Sequence, residues 1–226
     1  MNQLDLTIVS TRELNARLHQ LGHDDGSRWR VFNPNGKHAL AVGLDAPAQI
    51  AIEGHVGYYC AGMNQQAHIT VYGNAGPGLA ENIMSGTVRL KGNASQYAAA
   101  SGHGGLVVIE GDASARCGIS MKGVDIVVGG SVGHMSAFMG QAGRLVVCGD
   151  AGPHFGDSIY EAILYVRGHV ASLGADCVEK PMTDAHFTAL QELLAQAGMA
   201  ADANAFRRYG SARQLYHFKV DNADAY

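Results

Sequence analysis

The side chains in this chain with the most evident chemistry are its 11 histidines and 4 cysteines. His134 and His154 stand near Asp157, a trio whose donor types suit a metal ion or an acid–base pair. The bland alternative is that these are turn histidines engaged with backbone. Cys60, Cys117, Cys148 and Cys177 form no C-x-x-C pair, so neither a zinc ribbon nor a disulfide framework is written in them. The chain carries no H-E-x-x-H and no G-x-x-x-x-G-K-[ST]. Gly102-His103-Gly104-Gly105 lacks the G-x-G-x-x-G spacing and the βαβ surroundings of a dinucleotide cradle. The sequence therefore predicts no catalytic, cofactor-binding or metal-ligating set in this chain.

Composition agrees with a framework rich in corners. Of 226 residues, 47% are apolar and only 16% charged, while glycines number 30. High glycine with low charge favours tight turns over solvated helix surface. A net charge of −4 gives no support for nucleic acid or an anionic membrane as the main partner. Met1–Ser10 contains Asp5 and lacks a basic, apolar leader pattern, and no apolar run approaches a membrane span. The expectation is a cytoplasmic protein.

What must position these side chains is a repeat. Glycine falls at 54, 73, 92, 111, 130, 149 and 168, always 19 apart. Four residues earlier stand Ile50, Ile69, Val88, Val107, Ile126, Leu145 and Leu164; two earlier stand Ile52, Val71, Leu90, Ile109, Val128, Val147 and Val166. Apolar residues two apart mark a short strand with one face inward. Each coil thus supplies a strand ending in a glycine corner, where the chain is expected to bend tightly. After the glycine comes a polar column, His55, Asn74, Asn93, Asp112, Ser131, Asp150 and His169, able to hydrogen-bond from coil to coil. A further column, Ala61, Ala80, Ala99, Gly118, Ala137, Gly156 and Ala175, is uniformly small. A six-residue left-handed period would place an apolar column at position 62; it reads Gly62, Glu81, Ala100, Ile119, Phe138 and Asp157. The fold predicted is an all-β right-handed parallel β-helix of seven coils of about 19 residues over 49–180, with flanking α-helical caps. At roughly 4.8 Å per coil the rod is about 30–35 Å long.

The repeat also sorts the reactive residues. Cys60 and Cys117 share a column but lie three coils, about 14 Å, apart, beyond a disulfide or a shared metal. Cys148 falls on the outer side of its strand, and His55 and His169 stand at opposite ends of the rod. Outer positions Glu53, Lys91, Glu110 and Arg167 offer no close carboxylate pair of the kind carbohydrate-cleaving β-helices use.

Segments 1–48 and 181–226 read as caps, which a solenoid needs at its open ends. Leu4, Leu6 and Ile8 alternate as a strand. Ser10-Thr11-Arg12-Glu13 opens a helix with Leu14, Leu18 and Leu21 on one face, closed by Gly22. Trp29–Phe32, the turn Asn33-Pro34-Asn35-Gly36 and Ala39–Leu44 suggest a hairpin. Pro181 and Thr183 open a second helix bearing Phe187, Leu190, Leu194 and Ala197, with Gly198 as C-cap. Two features suggest a partner interface. Outward positions Val108, Val127, Val146 and Tyr165 make an apolar stripe on coils four to seven that water does not tolerate uncovered. Its cover is either the C-terminal helix or another protein. The tail Phe206-Arg207-Arg208-Tyr209-Gly210-Ser211-Ala212-Arg213, followed by Tyr216, Phe218 and Lys219, either packs back on the rod or serves as an arm for an acidic surface.

The spacing G-x-x-G-x-x-x-G at Gly149, Gly152 and Gly156, with partial copies at Gly54/Gly57, Gly73/Gly76 and Gly130/Gly133, resembles the GXGXG β-helix family. That family includes the C-terminal domain of the glutamate synthase large subunit. It also includes the β-helix subunits of formylmethanofuran dehydrogenase and of the formyltransferase/hydrolase complex, which gives an alternative reading. Asn33-Pro34-Asn35-Gly36-Lys37-His38, Asp176-Cys177-Val178-Glu179-Lys180 and the Phe206–Arg213 ending are most similar to the β-helix subunits of N-methylglutamate synthases. The resemblance implies a non-catalytic spacer between a class II glutamine amidotransferase-like chain and an FMN-binding glutamate synthase-like chain. FMN and an iron–sulfur cluster would then belong to the latter.

Overall fold

The computed structural model describes residues 1–214. It is a β-solenoid in which 11 strands share one sheet. They are β1 (Asn2–Asp5), β2 (Arg28–Phe32), β3 (Gln49–Glu53), β4 (His68–Val71), β5 (Thr87–Leu90), β6 (Leu106–Ile109), β7 (Lys122–Val128), β8 (Ala142–Val147), β9 (Ile163–Val166), β10 (Cys177–Lys180) and β11 (Arg207–Ser211). Strands β1 to β9 are parallel, in chain order. From β3 to β9 the register is constant, Ile50 pairing with Ile69 and so on to Leu145 with Leu164, apart from a one-residue shift between Lys122 and Asp125 of β7. Both predicted inward columns lie within the core, each residue no more than 2% exposed. A second, one-residue-wide ladder joins Val56, Ala75, Ala94, Ala113, Val132, Ala151 and Val170.

The polar corner column forms an unbroken chain of hydrogen bonds. The N–H of Asn74 donates to His55 Nδ1 (2.9 Å), Asn93 to Asn74 Oδ1 (2.8 Å), and Asp112 to Asn93 Oδ1 (2.8 Å). Ser131 then donates to Asp112 Oδ1 (2.7 Å), Asp150 to Ser131 Oγ (3.0 Å), and His169 to Asp150 Oδ1 (2.7 Å). This ladder corrects the reason for the glycine beside it. Of that column only Gly54, at φ 132°, needs glycine's backbone freedom. At Gly92, Gly111, Gly130 and Gly168 a Cβ would instead sit 2.1–2.3 Å from the corner oxygen of the preceding coil. The glycines leave room for the ladder rather than for a bend.

The small column conceals an unusual backbone. Tyr59, Ala61 and Met63 have φ of 60°, 57° and 55°, and the same alternating triplet recurs at Tyr97, Ala99, Ser101 and at Met135, Ala137, Met139. Left-handed backbone costs a non-glycine residue about 1–2 kcal/mol. Hydrogen bonds to both neighbouring coils hold it: Tyr59 N–H donates to Pro77 O, Ala61 N–H to Leu40 O, and Met63 N–H to Glu81 O. Between them Cys60, Leu79, Ala98, Cys117, Ser136 and Phe155 point into the core with no exposure.

The N-terminal segment departs from expectation in three ways. Residues 28–48 are not a hairpin but another coil, since β2 runs parallel to β3 with Trp29 opposite Ile50 and Val31 opposite Ile52. Ala39, Ala41 and Gly43 repeat the left-handed triplet, at φ 54°, 53° and 67°. Ile8 is 83% exposed, outside β1. The helix, α1 (Thr11–Leu18), ends at His19 rather than at Gly22. Its N-terminus is as expected: Ser10 Oγ accepts from Glu13 N–H, and Leu14 and Leu18 are buried. Asn15 of α1 reads the edge of the first full coil, donating to Ala39 O and accepting from Ala41 N–H.

At the other end the tail re-enters the sheet. Strand β11 lies between β9 and β10 and is antiparallel to both, with Tyr209 opposite Leu164 and Glu179. Tyr209 is buried and meets Phe155 edge-on at 6.2 Å, closing the end of the core.

Candidate functional site

Among the described residues no metal-ligating cluster forms, so the outward faces are the candidate site. On coils four to seven that face is already covered. Helix α2 (Asp184–Ala197) opens at Thr183, ends at Gly198 with φ 66°, and lays Leu190, Leu193, Leu194 and Ala197 on the stripe. Val108, Val127, Val146 and Tyr165 are each 0% exposed beneath it. Of the two covers the sequence leaves open for these four, partner or C-terminal helix, the cover found is the helix of the same chain. Cys148, expected on an outer surface, is buried in the same cluster. The helix is fixed by two sheet arginines. Arg89 Nη2 donates to Ala197 O at 2.9 Å, and Arg144, forked onto the carboxylate of Asp125, reaches Ala189 O at 3.5 Å. Under α2 the Tyr165 hydroxyl has no hydrogen-bond partner among the described residues, and burial pushes its pKa up.

The tail arginines are likewise engaged within the chain. Arg207 Nη2 donates to Gly168 O at 3.1 Å, Arg208 places Nε and Nη2 on Pro181 O, and Arg213 pairs with Glu161 at 2.9 Å. Of the two readings of this segment, packing back on the rod describes Phe206–Arg213. Tyr216, Phe218 and Lys219 lie outside the described residues.

The reactive residues are dispersed among structural tasks. Among the described residues no three His, Cys, Asp or Glu gather in a way that could hold a metal. His134 and His154 are exposed, and Asp157 accepts from Ser158 Oγ and Ala175 N–H. Burial pushes the thiols of Cys60, Cys117 and Cys177 up to about 12, far from a nucleophile's range. Gly129-Gly130-Ser131-Val132-Gly133 has the letters of a G-x-S-x-G elbow. Ser131, however, is a rung of the corner ladder, its Oγ accepting from Asp150 N–H.

Among the described residues nothing covers the sheet face over β2 to β4, beyond the end of α2. There the outward column reads Ala51 and Thr70 where later coils carry valine, and the sheet forms a groove of about 250 Å3. Arg28 and His68 stand on one side and the half-exposed Tyr72 on the other. The signal for this site in the sequence is the loss of apolar character in that outward column.

Among the described residues the fold and surface define a parallel β-helix protein with closed ends and an open sheet face over β2 to β4. Over its whole length, and over the whole of the relative, the chain is 58% identical to Protein GlxC of Rhizobium meliloti (strain 1021). The chain belongs to the family of that protein. No family model and no solved structure matches it. No helix of the described residues is long and apolar enough to cross a membrane.

Proposed function

We propose that this chain is the structural, non-catalytic β-helix subunit of a glutamate-synthase-like complex, of the N-methylglutamate synthase kind. That complex converts glutamate and methylamine to N-methylglutamate and ammonia. The observation that carries the reading is the rod itself: a ladder of stacked coils, closed at both ends, whose polar corner side chains hold coil to coil and whose cysteines are buried in its core. Its similarity to a relative of the same extent, and to the glutamate synthase β-helix motif, supports the same reading. In this proposal the chain holds a class II glutamine amidotransferase-like subunit and an FMN-binding subunit with an iron–sulfur cluster in register, in the cytoplasm.

Co-expression with those two chains tests it. The three are expected to purify together, and omission of the β-helix should abolish N-methylglutamate formation. Equal activity of the flavin chain alone, with the β-helix purifying apart, would overturn the proposal.

A further inference from the structure

Helix α2 runs against the direction of coil growth. Its carbonyls meet Arg144 of β8 at residue 189 and Arg89 of β5 at residue 197. It therefore lies along the outward row of β6 to β9 and stops at β5, while the row itself goes on through Thr70 of β4 and Ala51 of β3. The seat continues, but its character changes. Where α2 lies it is valine and tyrosine; beyond, it is a groove with a floor of Ala51 and Thr70 and walls that include Arg28, Trp29, His68 and Tyr72. Small floor residues let another backbone come close, and exposed Tyr and Arg are among the side chains that dominate protein contacts. Tyr72 is 49% exposed on the sheet face. None of the residues lining the groove is a carboxylate, although the chain as a whole carries a net charge of −4. The nearby glutamates are already matched, Glu53 to Arg30 and Glu110 to both Arg89 and Lys91. Arg28 thus gives this face a local positive charge on an acidic protein, which selects an acidic occupant.

We propose that the open sheet face over β2 to β4 is the seat of an acidic helix contributed by one of the two partner subunits, lying in the row that α2 vacates. This rests on the scaffold reading and names its contact surface. The helical form follows from the row, which already accepts α2 along the coils. The acidic character follows from Arg28, which has no acidic partner among the described residues, and from the carboxylate-free lining.

The test uses the full complex, reconstituted from this chain with the amidotransferase-like and FMN-binding chains. Ala51→Arg fills the floor of the groove and Arg28→Glu reverses its charge; neither side chain is in the core, and circular dichroism of each variant checks that the rod is intact. Each substitution is expected to raise the Kd for one partner by at least about tenfold, with the Arg28→Glu effect shrinking as salt rises. A photo-crosslinking residue at Tyr72 should join to an acid-rich helical segment of that same partner, and one at the exposed corner residue Gln96 should not. Undiminished affinity in both variants would overturn the proposed surface while leaving the scaffold reading in place. Crosslinking of Tyr72 to a second copy of this chain would overturn it in favour of a homodimer contact. Failure of the wild-type chain to join either partner would remove the scaffold reading, and this surface with it.

Discussion

Gly111→Ala isolates the contact on which the corner ladder depends. Gly111 has no φ requirement for glycine, so the alanine backbone is unstrained. Its new Cβ would fall 2.1 Å from Asn93 Oδ1 and 2.9 Å from Gly92 O. Asn93 must swing away, which breaks the 2.8 Å bond it accepts from Asp112 N–H. Losing one such bond costs about 1 kcal/mol. The residual contact with Gly92 O forces two coils apart locally, adding a cost on the order of 1–2 kcal/mol. The sum, about 2–3 kcal/mol, corresponds to a fall in Tm of roughly 5–10 °C for a chain of this size. Thermal unfolding followed by circular dichroism measures it. The decisive comparison is the same substitution in an Asn93→Ala background, where the clashing oxygen is gone. There Gly111→Ala should cost about 1 kcal/mol less, a coupling that a double-mutant cycle reads directly. If the alanine costs the same in both backgrounds, the glycine column serves something other than the ladder.

Three further outcomes are expected. Val127→Asp places an unpaired carboxylate beneath α2 and should destabilise the helix–sheet contact by several kcal/mol; limited proteolysis is expected to release the α2 segment while the coils persist, and an intact, protected α2 would contradict the buried seat. Desolvation opposes ionisation of Glu110, but hydrogen bonds from Lys91 and Arg89 outweigh it and hold its pKa below the ordinary 4.5. Its contribution is therefore present above the unfolded value and lost as pH falls through the lower folded one, so Glu110→Gln should flatten the stability profile below about pH 4.5; an unchanged acid limb would count against the pairing. With Cys60, Cys117 and Cys177 buried and their thiols pushed up to about 12, alkylation at pH 8 should proceed only after unfolding. Rapid labelling of the native chain at any of these three would refute that placement.

The parts of this fold that repeat are legible because stacking makes them repeat. An inward position must be apolar in every coil, so Ile50 to Leu164 and Ile52 to Val166 identify themselves, as does the polar column between corners. The coil at 28–48 reads as a hairpin in the sequence because Trp29 stands 21 residues before Ile50 and no ladder glycine marks its corner. Its inward pair Trp29 and Val31 is the remaining signal. The left-handed triplets are invisible for a different reason: Tyr59, Met63, Tyr97 and Met135 are not residue types that favour that backbone, and only bonds to the coils on either side impose it. For the outward stripe the sequence establishes that it must be covered but does not choose the cover, since helix α2 and a foreign helix present the same leucines. The open groove shows in the sequence only as the loss of apolar character at Ala51 and Thr70; its other lining residues, Arg28, His68 and Tyr72, look ordinary singly and come together only when the coils stack.

The corner ladder has a direction. Each side chain in it waits to accept the N–H of the coil that follows, never of the one before. A chain emerging from the ribosome can therefore lay each new strand and corner on a template already in place, while each left-handed triplet is completed by the coil that follows. The last step breaks that order. Strand β11 must insert beside β9 after β10 has been synthesised, and α2 must fold back over four coils already built. Until then Val108, Val127, Val146 and Tyr165 stand bare, so the unfinished rod is the form most exposed to wrong association, and docking of α2 marks its completion.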